Sequence, residues 1–161
     1  MENEANKIAI FADVQNIYYT TRQAYNRQFN YRQLWQRLTE KGEIVSAIAY
    51  AIDRGDDKQI KFQAVLKHIG FNVKLKPFIQ RSDGSAKGDW DVGITIDVME
   101  AARSVDTVVL LSGDGDFDML LEKIIADYHV RAEVYGVPAL TAGSLMAVAS
   151  IFHPIYEDLL L

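Results

Sequence analysis

The chain contains no cysteine. Disulfides and cysteine-ligated zinc sites are therefore excluded. Histidine is scarce as well. His68, His129 and His153 lie far apart and form no ligand-spaced motif, so each reads as a surface or packing residue before it reads as a ligand. There is no excess of basic residues either: 17 Lys and Arg stand against 22 Asp and Glu, a formal charge of −5. That balance argues against gripping nucleic acid by bulk charge. It leaves room for a nuclease, because acids clustered to hold metal ions add negative charge of their own. No apolar run is long enough to span a bilayer, and the start MENEANK has no signal-peptide pattern. Cytoplasmic is the expected location, with no membrane partner. P-loop and G-x-G-x-x-G motifs are absent, as are internal repeats, low-complexity segments and linkers. With 161 residues, 49% of them hydrophobic, the chain can bury one real core, and a single domain over 1–161 is expected.

The most informative stretch is VVLLSGDGDFDMLL, Val108 to Leu121. A short apolar run ended by glycine reads as a buried strand meeting a sharp turn. Phe117, Leu120, Leu121 and Ile124 then recur at helical spacing. Asp114 and Asp116 thus fall in a strand-to-helix turn at the carboxyl end of a strand, where open α/β sheets bind ligands. Two carboxylates so close repel unless a positive charge lies between them, and a divalent cation fits. Either aspartate alone reads equally well as a turn residue, and Asp116 as the N-cap of the next helix.

The rest of the chain supplies more acids. KIAIFA, Lys7 to Ala12, reads as the first strand, with Asp13 at its carboxyl end and a helix over 17–28 following. A helix over 31–41, a strand over 43–52, a helix over 58–69 and a strand over 71–79 come next, with Pro77 marking an edge. The acids in 53–57 read as turn and helix-start residues. Gln80 to Gly88 is the most loop-like stretch. Its Arg81 and Lys87 read as solvated charges or as a basic loop that meets phosphates. The segment 89–104 reads as a helix, with Asp91 near its start and Asp97 among apolar neighbours, where a carboxylate is costly unless partnered. Six positions apart on a helix, these two point about 120° from each other. A strand over 130–137, a short helix from Thr141 and an apolar tail that packs as a last strand complete the chain.

Strands alternate with helices throughout. The fold class expected is α/β, a three-layer Rossmann-like fold with a mostly parallel central sheet and helices on both faces. Asp13, Asp114 and Asp116 share its carboxyl edge, and Asp91 or Asp97 can complete the cluster. All-oxygen sites of this kind suit Mg²⁺ or Mn²⁺, which activate water and neutralise charge on a phosphoryl group. Metal-dependent phosphodiester hydrolysis is the implied reaction. Other acid-cluster folds fit less well. A haloacid dehalogenase would want an aspartate at Gln15, a receiver domain a lysine after a later strand, and a Toprim domain a glutamate at Asp13.

Three motifs, F-A-D-V-Q-N with Asp13 and Asn16, K-G-D-W-D-V-G-I-T-I-D from Lys87 to Asp97, and L-S-G-D-G-D-F from Leu111 to Phe117, resemble those of an NYN domain. Within that group the chain is most similar to the LabA-like branch of the PIN-like nuclease superfamily. The resemblance implies a PIN-like fold and a Mg²⁺- or Mn²⁺-dependent ribonuclease acting on RNA, with single-stranded RNA expected and DNA left open, as is a homodimer. It carries catalytic and metal-binding roles onto Asp13, Asp114 and Asp116, and onto Asp91 and Asp97 without ranking them. Asn16 and Ser112 would orient a carboxylate, a metal-bound water or a phosphate, and Arg81 and Lys87 would meet substrate. Two departures stand out: Asp89-Trp90 precedes Asp91 where the branch has one small apolar residue, and Ser150 stands where an aspartate is usual. No appended RNA-binding module is present in the sequence, so substrate selection is expected from this domain or a partner. The alternative reading is a non-catalytic regulatory module that binds metal and nucleotide or RNA without cutting it.

Overall fold

In the computed structural model the described residues are 5–77, 79–80, 86–87 and 89–161, with the backbone alone at 79–80 and 86–87. The elements run β1 (Lys7–Asp13), α1 (Val14–Tyr25), α2 (Tyr31–Thr39), β2 (Glu43–Asp53), α3 (Asp57–Ile69), β3 (Asn72–Pro77), β4 (Ile79–Gln80) and β5 (Ala86–Lys87). They continue with α4 (Asp91–Ala101), β6 (Thr107–Leu111), α5 (Asp118–Tyr128), β7 (Arg131–Gly136), α6 (Gly143–Val148) and β8 (Ile151–Pro154).

Six strands form one sheet in the order β3-β2-β1-β6-β7-β8, every pair parallel. Parallel neighbours need crossover connections, and helices supply most of them. The chain builds outward from β1 to β3 on one side, then returns to the other side of β1 with β6. That reversal makes the gap between the ends of β1 and β6 a switch point, the place where such sheets open a binding crevice. The expected three-layer α/β fold is the one observed, and β3 is an edge strand as Pro77 suggests.

β1 explains why its run is continuously apolar. Ile8, Ile10 and Ala12 enter the core under α1, α2 and α3 with Leu34, Leu38 and Leu66, while Ala9 and Phe11 enter the opposite core with Ile94, Val98, Leu121 and Ile124. A strand covered on both faces has no polar side to show. Each large side chain buried this way contributes roughly 1.5–3 kcal/mol.

Two boundaries differ from the sequence reading in ways that matter for the site. The first helix begins at Val14, so Asn16 lies in its first turn. It ends at Asn26, whose φ of 53° is the left-handed turn that breaks the helix. The loop-like stretch 80–88 contributes strand residues, Ile79–Gln80 pairing antiparallel with Ala86–Lys87.

Candidate functional site

β1 and β6 pair from Ile8↔Thr107 to Ala12↔Leu111, so their carboxyl ends lie side by side. Each runs directly into an acid-bearing turn. Asp13 is the last residue of β1, and Ser112-Gly113-Asp114 follows β6 into a single 3₁₀ turn over Gly115–Phe117. Hydrogen bonds stitch the two turns together. Ser112 Oγ, fully buried, donates to Asp13 Oδ2 at 3.0 Å and accepts from the Asp114 N–H at 3.1 Å. The Gly113 N–H donates to Asn16 Oδ1 at 2.9 Å. Within the turn, Asp114 Oδ1 accepts from the Asp116 N–H at 2.9 Å. The capping role expected of Asp116 therefore falls to Asp114, and Asp116 stays exposed. Glycine is required beneath this turn. A Cβ on Gly113 would stand 2.7 Å from the Leu140 carbonyl oxygen, and one on Gly115 would stand 2.8 Å from Ala142 Cβ.

α4 brings Asp91 to the same place. Its start is anchored by Trp90, whose Nε1–H donates to the Ala51 carbonyl at 2.9 Å and whose ring lies 5.3 Å from that of Tyr50. Among the described residues, carboxylate oxygens of Asp91, Asp114 and Asp116 lie within 4.8 Å of one another. Asp13 and Asp89 stand beside them. Together with Asp91, Asp114, Gln15, Asn16, Tyr19 and Thr20 they line a cleft of about 230 Å³.

The electrostatics of this group are those of acids forced together. Burial pushes the Asp13 carboxyl up to about 6, and the charges of Asp114 and Asp89 add to the rise; the Ser112 hydroxyl and the Asn16 backbone N–H pull it partly back. Asp91 is pushed up to about 7 by burial first, then by the charge of Asp114 and a hydrogen bond to it, and by Asp89 and Asp13. The crowding of Asp91 against Asp114 thus disfavours its charged form. A cation placed there would offset that repulsion.

The structure does not bring Asp97 to this group. Asp97 Oδ2 accepts from Tyr50 Oη and from Lys74 Nζ, both at 2.7 Å. Those partners answer the cost of a carboxylate among apolar neighbours. The Arg81 and Lys87 side chains lie outside the described residues. Ser150 Oγ accepts from the Ala132 N–H at 3.0 Å, closing the turn into β8. A larger hollow of about 400 Å³ lies at the opposite edge of the sheet, around Asn6, Lys41, Asp106, Thr107, Arg131 and Glu133. Its acids are already engaged. Glu133 is held by Arg131 at 2.9 Å and by His153 at 2.5 Å, and Asp106 accepts from the Lys7 N–H at 2.8 Å.

A family model for the NYN domain matches residues 7–157. The chain belongs to the NYN-domain family. It is 30% identical over 129 residues to the Low amplitude and bright protein LabA of Synechococcus elongatus, covering 75% of this chain and 69% of that protein. A crystal structure of a Vibrio parahaemolyticus protein of unknown function superposes with a TM-score of 0.95 at 53% identity, over 100% of this chain and 99% of the other. Ribokinase from Giardia lamblia shares the fold alone, with a TM-score of 0.51 at 13% identity over 96% of this chain and 59% of that one. For this NYN domain the sequence reading missed Gln15, Tyr19 and Thr20 as cleft residues. The signal was available: positions 16, 19 and 20 share one face of a helix.

Proposed function

We propose that this NYN domain is a metal-dependent ribonuclease that hydrolyses RNA phosphodiester bonds at the acid cluster on the carboxyl edge of its sheet. The observation that carries the reading is the convergence of Asp91, Asp114 and Asp116 on one point, with Asp13 and Asp89 lining the same cleft. The donor set is all carboxylate oxygen, which fits Mg²⁺ or Mn²⁺. Asp91, Asp114 and Asp116 would hold the ion, with Asp13 beside them. Bound there, it would make a water acidic enough to attack and offset charge developing on the phosphoryl group.

The chain's own residues do the positioning. Ser112 fixes Asp13 through Oδ2 and fixes Asp114 through its backbone N–H. Asn16 fixes the backbone of the turn that carries Asp114. Asp13, whose carboxyl is pushed up to about 6 by burial and neighbouring charge, stands beside the cluster as the candidate proton acceptor.

The test is incubation with mixed-sequence single-stranded RNA in Mn²⁺, Mg²⁺ or EDTA, alongside Asp114→Asn. Cleavage that requires metal and disappears in the variant is the expected result. Metal stabilisation against heat with no cleavage of any RNA would instead support a binding module, and full activity of Asp114→Asn would sink the proposal.

A further inference from the structure

We infer that Tyr18 and Tyr19 form a base-stacking subsite beside the acid cluster, one that takes the unpaired nucleobases of single-stranded RNA. The inference rests on the ribonuclease reading and names how that site holds its substrate. Tyr19 lies one helical turn beyond Asn16 and lines the same cleft as Asp13, Asp91 and Asp114. Tyr18 and Tyr19 are 43% and 47% exposed, neighbouring large aromatics left open to solvent. They meet edge to face, with centroids 5.4 Å apart and planes at 76°. One ring's face is therefore set across the other's edge, like two walls of a corner.

Both rings are held at their hydroxyl ends. Arg22 donates to Tyr18 Oη at 3.0 Å, and Arg54 donates to Tyr19 Oη at 3.4 Å. Rings fixed in this way lose little freedom when a base stacks on them. Through Tyr19, which lines the cleft, and Tyr18 beside it, the two arginines bring positive charge near an otherwise acidic cleft, where a strand's phosphates would pass. With a net charge of −5, bulk charge supplies little of the grip. Stacking can, and it selects unpaired bases because only they present a free face.

Binding is read by fluorescence anisotropy of a labelled twelve-nucleotide single-stranded RNA. Ca²⁺ replaces Mg²⁺, and the RNA is checked for integrity afterwards. Tyr19→Ala is expected to weaken binding roughly tenfold, the effect of losing one stacked base. Tyr19→Phe, which keeps the ring, is expected to stay within about twofold of wild type. An RNA with abasic sites is expected to bind wild type and Tyr19→Ala equally. A Mn²⁺-induced rise in Tm shared by Tyr19→Ala and wild type shows that the fold and the acid cluster survive the change. Equal binding of intact RNA by wild type and Tyr19→Ala overturns the stacking inference and leaves the nuclease reading standing. If Tyr19→Ala loses binding while Asp114→Asn still cleaves, the nuclease site is wrong and the stacking surface remains.

Discussion

Replacing Asp13 by asparagine is expected to make the metal-free protein harder to unfold. The carboxyl is 9% exposed, and burial with neighbouring negative charge raises it from 3.8 to about 6. A carboxyl raised in the folded state favours folding fully below pH 3.8, and that contribution is lost as pH rises through about 6. A rise of that size corresponds to about 3 kcal/mol of stability surrendered at pH 7.5, as an upper figure. Asparagine keeps an acceptor for the Ser112 hydroxyl and carries no charge to bury. In a chain of this length each kcal/mol moves Tm by about 2–4 °C, so Asp13→Asn in EDTA at pH 7.5 should melt about 5 °C above wild type. At pH 5 the gap should shrink to about half, because wild type is then largely protonated. Adding Mn²⁺ should close most of the gap. An ion at 100 times its Kd stabilises wild type by about 2.7 kcal/mol, and the variant gains much less. Differential scanning fluorimetry of both proteins across pH, with and without metal, reads all three effects. A variant less stable than wild type in EDTA at pH 7.5, or a gap that does not narrow on acidification, refutes the reasoning.

Other substitutions separate the site from its scaffold. Mn²⁺ affinity by calorimetry should fall as pH drops from 8 to 6, because protons on Asp91 and Asp13 compete with the ion; a pH-independent affinity would contradict the cluster. Ser112→Ala should cost about 1–3 kcal/mol in urea unfolding, since the Asp114 N–H and Asp13 both lose a buried partner. Asp97→Ala should destabilise by about 1–3 kcal/mol through the orphaned Tyr50 hydroxyl, yet keep the Mn²⁺-induced rise in Tm. Loss of that rise would place Asp97 back in the site. Gly113→Ala should weaken metal binding at least as much as it weakens the fold, because its methyl group would push the turn off the Leu140 carbonyl.

Much of this architecture is legible in the sequence because the signals are local. β6 is a five-residue strand, entirely buried and apolar at four positions, and the Ser-Gly-Asp that follows reads as a turn. Asp13 and Asp114 are legible together because both end buried strands, and strand neighbourhood follows from alternation with helices. Asp97 is harder to read. Its spacing from Asp91 says the two diverge, but only the fold reveals that Tyr50 and Lys74, from β2 and β3, arrive to partner it. The cap belongs to Asp114 rather than Asp116 because a 3₁₀ turn intervenes before α5, and single-turn helices leave almost no periodic trace. Tyr19 shares a helix face with Asn16, but a helical aromatic usually packs inward, and its exposure is decided by neighbours far along the chain.

The Ser112–Asp13 bond joins residues 99 positions apart. β1 emerges early in synthesis and β6 late, so for most of its translation the nascent chain carries Asp13 without the turn that completes the site. Pairings of such long range form slowly. The acid cluster is thus a product of long-range strand pairing, complete only when β6 lies beside β1.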